Sequence, residues 1–254
     1  MSIRATLGLP KTILSRPLPD SVIKYRATEK PWDRWKVEVN PLVGNIHQQQ
    51  RKLTIDAIKA LPKGRTVLDL GCGCGKILDE MLRSANIDRI TAIDINIGAI
   101  AETKEKLNQN PFINKLEIEQ GDIYQYPFIR SFDCVVCIDV LSELPDIAKA
   151  LSMIRDALKP GGVFIGNFVA EENIAKLMIN SHGLTTFLFR DLRFHIGMLF
   201  SGRQHIYEYF GRKGYVRLKP YLKNEAIDML EKYFKPVKLE SEYYHWFAAT
   251  PKGI

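Results

Sequence analysis

A glycine-rich segment that directly follows an apolar run constrains the fold more than any other part of this chain. Residues 67–76 have the sequence VLDLGCGCGK, and the helix-forming run 77–82 follows. A run rich in leucine and β-branched residues predicts a buried strand, and alternating glycines let the backbone turn sharply beside a ligand. A second apolar run, 90–93, ends at Asp94. Strand, glycine turn, helix, strand and carboxylate together predict half of a nucleotide-binding α/β fold.

The glycine spacing excludes two common nucleotide sites. A dinucleotide fingerprint requires GxGxxG, but the glycines fall at 71, 73 and 75, and Lys76 occupies the place of the third glycine. A phosphate loop of the form GxxxxGK[ST] would need a glycine at Leu70 and a hydroxyl at Ile77.

The residues do match DxGxGxG, from Asp69 to Gly75, followed by the acidic residue Asp94. This pattern resembles the class I S-adenosylmethionine-dependent methyltransferases of the small-molecule type. Further matches occur in family order: 121–128 is similar to the third acidic loop, 132–138 to the fourth strand, 139–146 to the loop after it, and 158–165 to the helix end and fifth strand. The resemblance covers roughly residues 48–170, with weaker matches from about 221.

Alternating strands and helices predict a parallel sheet with helices on both faces. The resemblance implies a doubly wound, mostly parallel seven-stranded α/β sheet, Rossmann-like, whose last strand is antiparallel. The predicted helices are about 47–61, 75–85, 97–109, 146–158 and 223–234, and the predicted strands are 66–70, 89–94, 115–119, 133–138, 162–168, 236–241 and 243–250.

Two segments lie outside this alternation. Residues 1–40 carry four prolines and two tryptophans without clear periodicity, so we expect an N-terminal arm before a methyltransferase domain at 41–254. Residues 170–222 exceed a simple crossover, and 206–218 alternate around the glycine-bearing turn 211–214, which predicts a β-hairpin. Insertions after the fifth strand lie above the carboxyl ends of the sheet, so we interpret 170–222 as an acceptor-binding lid. The alternative is that its aromatic side chains pack on the domain or form a homodimer interface.

The four cysteines raise the question of a metal or disulfide. Cys134 and Cys137 are placed on a strand, where residues three apart face opposite sides of the sheet. They could not then share a ligand or a bridge, and no metal site is predicted. Reduced, buried cysteines are the preferred interpretation.

The resemblance assigns a cofactor, S-adenosyl-L-methionine, and its binding residues. The backbone of the glycine turn would approach the methionine part, Asp69 would fix that loop or attract the cofactor's ammonium group through water, and Asp94 would accept hydrogen bonds from both ribose hydroxyls. Asp122 would accept from the adenine amine. For any lone aspartate the alternative is a solvated cap of a helix or turn. The complete implied set is Asp69, Gly71, Cys72, Gly73, Gly75, Asp94, Ile95, Asp122, Ile123, which would pack on the adenine ring, and Ile138, whose carbonyl would lie near the transferred methyl.

Methyl transfer needs mainly alignment of acceptor, carbon and sulfur, and a hydroxyl acceptor also needs a base. The candidate catalytic residues are Asp139, Glu143, His195 and His205. Many members of the family that the chain resembles carry histidine where this chain has Glu143, and this departure leaves open whether a family-style histidine base is used here. His195 and His205 belong to the predicted lid, where the alternative is a surface or hydrogen-bonded histidine.

Charge and hydropathy limit the kinds of partner that the sequence predicts. The net charge is +7, with basic residues concentrated in 1–40 and 190–219, which favours an anionic partner or reflects scattered surface residues. The N-terminus lacks the apolar run of a signal peptide, and no stretch approaches the ~18 uncharged apolar residues of a bilayer span. We expect a cytoplasmic protein with no transmembrane segment.

Three functions fit these observations. The first is an enzyme that methylates a small molecule, hydrophobic or anionic, at oxygen, nitrogen or carbon. The second is an RNA methyltransferase, although no appended nucleic-acid-binding module is found. The third is a catalytically silent S-adenosylmethionine-binding subunit that serves a partner enzyme.

Overall fold

The structure is a computed structural model that describes residues 41–125, 131–171, 207–211 and 214–253. Within these ranges, seven strands form one mostly parallel sheet and two more form a separate hairpin. The strands are β1 (Arg65–Leu70), β2 (Ile87–Asp94), β3 (Leu116–Gln120), β4 (Phe132–Cys137), β5 (Leu158–Val169), β6 (Tyr207–Gly211), β7 (Gly214–Leu218), β8 (Phe234–Ser241) and β9 (Tyr244–Pro251). The helices are α1 (Pro41–Lys59), α2 (Lys76–Leu82), α3 (Ile97–Leu107), α4 (Ile147–Ala157) and α5 (Lys223–Glu231).

The strand order of the large sheet is β3-β2-β1-β4-β5-β9-β8. Pairs among β1 to β5 are parallel, whereas β9 is antiparallel to both β5 and β8. The predicted doubly wound fold and its antiparallel last strand are therefore confirmed. Strands β2 and β3 lie on one side of β1 and strands β4 and β5 on the other, so the strand order reverses between β1 and β4, and the carboxyl ends of these neighbouring strands form the crevice in which such folds bind ligands.

Helices cover both faces of the sheet because each strand alternates its apolar side chains between them. On one face, Ile58, Met81 and Leu107 pack with Val67. On the other, Leu151 and Leu230 join the aromatic group Phe164, Phe168 and Phe247, in which ring centroids lie 5.1–5.7 Å apart. The glycine turn and the acidic strand ends thus rest on a rigid, two-sided core.

Strand β4 shows the same alternation at the cysteines. Cys134 belongs to the core face that packs against α1 and α2, and Cys137 belongs to the opposite face. Both thiols are buried and reduced, and burial raises the pKa of each well above the ordinary thiol value. The prediction that these two cysteines face opposite sides of the sheet is confirmed.

The starts of two elements differ most from the sequence-based prediction. Helix α1 begins at Pro41 rather than His47, since proline is well tolerated in the first turn of a helix. Strand β5 begins at Leu158 rather than 162. It pairs with Phe132 through Leu158 and with Cys134 through Val163, so Pro160, Gly161 and Gly162 bulge between these two pairs.

The predicted hairpin within 170–222 is confirmed. Strands β6 and β7 pair antiparallel from Tyr207 with Leu218 to Gly211 with Gly214. The segment rejoins the domain at the loop that follows β4, because the backbone N–H of Lys219 donates to the carbonyl of Ser142 at 2.7 Å. The arm at 1–40 and residues 172–206 and 212–213 of the predicted lid lie outside the described residues.

A charged network closes the amino-terminal edge of the sheet, opposite the glycine turn. The carboxylate of Asp133 accepts from Arg65 at 2.9 Å, from Lys159 at 2.9 Å, and from the backbone and hydroxyl of Thr66. Burial by itself would raise the pKa of Asp133, but these hydrogen bonds outweigh it and hold the pKa below its ordinary value. This network links β1, β4 and β5.

Candidate cofactor site

The glycine turn lies at the carboxyl end of β1 and adopts backbone angles that favour glycine. Gly71, Gly73 and Gly75 have φ of 76°, 53° and 77°. The backbone N–H groups of Gly71 and Cys72 both donate to the carbonyl of Ile93, at 2.8 and 3.2 Å, which ties the turn to the end of β2. The turn is therefore fixed against the strand that carries Asp94.

The three glycines have different steric surroundings. A Cβ atom on Gly71 would lie 2.3 Å from Cγ2 of Val140, and one on Gly75 would lie 2.6 Å from Cγ2 of Thr103. A Cβ on Gly73 would meet nothing within 4 Å. Gly71 and Gly75 are thus required for close packing, and the turn presents open space at Gly73, where a ligand can approach the backbone.

Asp94 connects three loops at this edge. Its Oδ2 accepts from the backbone N–H of Gly73 at 2.8 Å, and its Oδ1 accepts from the N–H of Asn96 at 2.8 Å. Its backbone carbonyl accepts from the N–H of Gly121 at 3.0 Å. An ionised carboxylate accepts hydrogen bonds and donates none, so Asp94 is chemically suited to donors such as the hydroxyls of a ribose.

Two supporting residues were not recognised from the sequence. Asn96 caps α3 by accepting from the N–H of Ala99 at 3.0 Å, and an asparagine just before a helical run is a signal that could have identified it. The hydroxyl of Thr103 donates to the carbonyl of Gly73 at 2.7 Å. No local pattern marks Thr103, since the contact joins residues thirty positions apart.

Asp122 and Ile123 follow β3, on the same edge. Oδ1 of Asp122 accepts from the N–H of Tyr124 at 2.9 Å, which is a local turn of the kind that the alternative interpretation expects. The second carboxylate oxygen can still accept a donor. Ile123 is buried against the core, and Ile95 is half-buried, with its carbonyl accepting from Gln120 at 2.9 Å.

Asp69 precedes the glycine turn and Cys72 lies within it. Asp69 is buried within β1. Burial, followed by the negative charges of Asp69 and Asp94, raises the pKa of the Cys72 thiol well above its ordinary value. Cys72 is therefore a neutral thiol at physiological pH and not a nucleophile.

The predicted catalytic residues fall into two groups. Ile138, Asp139 and Glu143 lie just beyond β4, beside the glycine turn, because Val140 between them contacts Gly71. His195 and His205 lie outside the described residues. Asp139 stands against His47 of α1 and Asn167 of β5, two residues that the sequence did not single out.

The residues at this edge fit S-adenosylmethionine. The turn leaves open space at Gly73, a carboxylate stands at the end of the neighbouring strand, and a second carboxylate follows β3. Backbone N–H groups and carboxylates of this kind bind ribose and adenine polar groups, while Ile123 and Ile95 offer apolar contact. Within the described ranges, no group of three or more histidine, cysteine or acidic side chains could hold a metal ion. Nor is any helix there long and apolar enough to traverse a bilayer.

Comparison with known proteins agrees with this geometry. Residues 68–164 match the family model described as a methyltransferase domain. The demethylmenaquinone methyltransferase of Desulfitobacterium hafniense is 26% identical over 161 residues, which cover 63% of this chain and 62% of that protein. The ubiquinone/menaquinone biosynthesis C-methyltransferase UbiE of an Enterobacter species is 32% identical over 119 residues, 46% of this chain and 47% of that one. The chain thus spans less than two thirds of the length of these curated relatives.

Solved structures share the fold. Magnesium protoporphyrin IX methyltransferase (ChlM) from Synechocystis, with bound SAH, has a TM-score of 0.60 at 20% identity. The match covers 87% of this chain and 94% of the ChlM chain. The PH0226 protein of Pyrococcus horikoshii has a TM-score of 0.61 at 19% identity, and the match covers 82% of this chain and 91% of the PH0226 chain. The family model, the relatives and the glycine turn with its acidic strand ends agree, and S-adenosylmethionine is the cofactor of the family they indicate. Residues 68–164 of this chain are therefore a methyltransferase domain similar to those of the class I S-adenosylmethionine-dependent methyltransferases.

Proposed function

We propose that this protein transfers a methyl group from S-adenosylmethionine to a small-molecule acceptor, hydrophobic or anionic. The observation that carries the proposal is the hydrogen bond between Asp94 and the open backbone of Gly73, at the carboxyl ends of β1 and β2. Relatives named for quinone, sterol and malonyl-acyl carrier protein methylation support a small acceptor.

We assign the cofactor to the residues around the glycine turn. When bound, the cofactor supplies an electrophilic methyl group on sulfonium. Asp94 would bind the ribose, Asp122 and Ile123 the adenine, and the backbone from Gly71 to Gly75 the methionine part, with Asp69 behind it. These residues orient the methyl toward the loop after β4, where Asp139 and Glu143 lie.

We also propose that 170–222 covers the acceptor. The return of this segment at Lys219 onto Ser142 supports that position, since Ser142 follows the loop that carries Asp139. The arm at 1–40 would complete the enclosure, and His195 and His205 stay candidate bases within the lid. We expect the enzyme to be cytoplasmic, and a homodimer through the lid stays the alternative use of its aromatic residues.

The test uses the full chain in two steps. Calorimetry with S-adenosylhomocysteine should show binding, and Asp94→Asn should weaken it. Incubation with radiolabelled S-adenosylmethionine and a protein-free metabolite extract should then yield a labelled small molecule.

The results distinguish three functions. If the incubation is repeated with RNA, methyl label in the RNA together with salt-sensitive RNA binding would establish that the protein is an RNA methyltransferase instead. Cofactor binding without transfer to either extract or RNA would indicate a silent subunit. An absence of cofactor binding at millimolar concentration would contradict the whole assignment.

A further inference from the structure

Four polar side chains from three separate elements meet beside the glycine turn. They are His47 and Gln50 on α1, Asp139 just after β4, and Asn167 on β5. His47, Gln50 and Asn167 are buried, whereas 22% of the Asp139 side chain is exposed. Burying polar groups is costly unless they are paired, so a cluster of this kind at the site requires an explanation.

Asn167 holds Asp139 in place by two reciprocal hydrogen bonds. Its Oδ1 accepts from the backbone N–H of Asp139 at 2.7 Å, and its Nδ2 donates to Oδ1 of Asp139 at 2.8 Å. Among the described residues, Asp139 is the one non-glycine residue with positive φ, at 63°. This left-handed conformation is uncommon for a non-glycine residue, although aspartate adopts it more readily than most, and the hydrogen bonds with Asn167 stabilise it here.

The second carboxylate oxygen of Asp139 faces His47. The second hydrogen of Asn167 Nδ2 goes to Oε1 of Gln50 at 2.9 Å, so both donors of this amide are used. With Oδ1 of Asp139 held by Asn167, its Oδ2 stands 3.7 Å from Nδ1 of His47. The histidine side chain is only 6% exposed, so Asp139 is the more accessible member of the pair.

Asp139 is adjacent in sequence to a residue that packs against the cofactor turn. Val140, the next residue, packs against Gly71, where an added Cβ would come within 2.3 Å of it. Asp139 precedes Val140 at the carboxyl edge of the sheet, and from this position its side chain can reach an acceptor placed for methyl transfer. Apo proton-transfer geometry is often longer than in the reacting complex, so the 3.7 Å separation is compatible with proton passage.

Building on the proposed function, we propose that Asp139 removes the proton of a hydroxyl-bearing acceptor and passes it to His47. As the acceptor oxygen forms its bond to the methyl carbon, the carbon–sulfur bond breaks with its electron pair on sulfur. The acceptor's proton moves to Oδ2 of Asp139 and then to Nδ1 of His47. The product state is an imidazolium beside a carboxylate, whose opposite charges stabilise each other in a poorly solvated site. Asp139 is the catalytic base, and His47 is a positioning residue that acts through it.

A proton relay at this site would be useful to one class of acceptor. A phenol or an enol is protonated near neutral pH and must lose a proton, whereas a carboxylate is already ionised and needs no base. A relay of this kind therefore favours a phenolic or enolic hydroxyl on an otherwise apolar molecule.

The partners or positions of other titratable residues on the neighbouring elements are known within the described part of the chain. On α1, Arg51 forms an ion pair with Glu80 of α2. On β9, His245 contacts the Ser241 hydroxyl at 3.2 Å and the Tyr221 carbonyl at 2.8 Å. Glu143 follows Asp139 in the same loop, and Asp69 lies within β1 next to β4.

The first experiment needs no acceptor. Nuclear magnetic resonance titration of the histidine ring signals, in the complex with S-adenosylhomocysteine, should show that His47 changes protonation state. Asp139→Asn should move the midpoint to lower pH, because it removes the negative charge that favours imidazolium. A midpoint that does not change would overturn the relay.

The second experiment compares two defined probes, naphthol and nitronaphthol, whose nitro group makes the hydroxyl acidic enough to be ionised at neutral pH. Asp139→Asn and His47→Gln should lower kcat for naphthol by about 10²–10⁴-fold with little change in KM, and should affect nitronaphthol far less. Imidazole added to His47→Ala should restore part of the naphthol rate. Equal losses for both probes, no rescue, or no methylation of either probe by the wild type would each contradict the proposal.

Controls separate this inference from the function on which it rests. His245→Gln removes another buried histidine and should lower the melting temperature without changing the ratio of the two probe rates. Calorimetry with S-adenosylhomocysteine should give unchanged affinity for His47→Gln and Asp139→Asn. If wild-type protein binds the cofactor and methylates other extract components but neither probe, the relay is wrong while the methyltransferase assignment stands.

Discussion

Oδ2 of Asp94 accepts a hydrogen bond from the backbone N–H of Gly73 at 2.8 Å. This bond joins the acidic end of β2 to the part of the glycine turn that has open space above it. The same carboxylate also accepts from Asn96, at the start of α3. Asp94 therefore shapes the turn in addition to offering acceptor capacity to a ribose, and its loss should affect both.

Asp94→Asn should weaken S-adenosylhomocysteine binding by about 10²-fold or more. Hydrogen bonds to a charged group contribute about 1.5–3 kcal/mol each, and two ribose hydroxyls would lose the charged acceptor. Calorimetry measures the affinity. Asp88→Asn, at the exposed opposite end of the same strand, is the matched control and should leave affinity unchanged. Equal affinities for wild type and Asp94→Asn would move the ribose site elsewhere.

Gly75→Ala should destabilise the protein because the new Cβ would lie 2.6 Å from Cγ2 of Thr103, at a position with φ of 77°. The combined strain and overpacking should cost about 1–3 kcal/mol, measured by denaturant unfolding. Adding Thr103→Ser removes that methyl group but keeps the hydroxyl that donates to Gly73. The double variant should recover part of the loss, whereas simple additivity of the two changes would argue against this contact.

Asp133→Asn should lower the free energy of unfolding by about 1.5–3 kcal/mol at neutral pH, since charged hydrogen bonds from Arg65 and Lys159 are lost. The folded pKa of Asp133 lies below its unfolded value, so its contribution is present above the unfolded pKa of about 4 and declines as the pH falls below it. Unfolding curves for both proteins between neutral and acid pH should therefore converge on acidification. A constant difference at every pH would contradict the depressed pKa.

Cys134→Ala and Cys137→Ala should have additive effects on stability, within about 0.5 kcal/mol, because the two thiols pack on opposite faces of the sheet. Double-mutant analysis of denaturant unfolding, with and without added zinc, measures this. A coupling energy well above that value, or stabilisation by zinc that either variant removes, would show that the cysteines share a site.

Much of the fold follows from local patterns in the sequence. Apolar runs of strand length, alternating with amphipathic helices, predicted the parallel sheet, and the glycine spacing excluded dinucleotide and phosphate-loop sites. Those patterns depend on neighbours along the chain, which is why the hairpin at 207–218 and the opposite faces of Cys134 and Cys137 were also predicted correctly. The bulge at Pro160–Gly162 was missed because its register depends on the partner strand β4.

The sequence by itself determined the resemblance to a methyltransferase domain, the doubly wound fold and the carboxylates that end its strands, because residue type and short-range spacing specify these features. Only the tertiary structure decided which distant side chains meet at the crevice. Thr103 reaches Gly73 across thirty residues, and His47 faces Asp139 from a helix that precedes β1. Such contacts arise when the sheet and its covering helices pack together, and no periodicity along the chain specifies them.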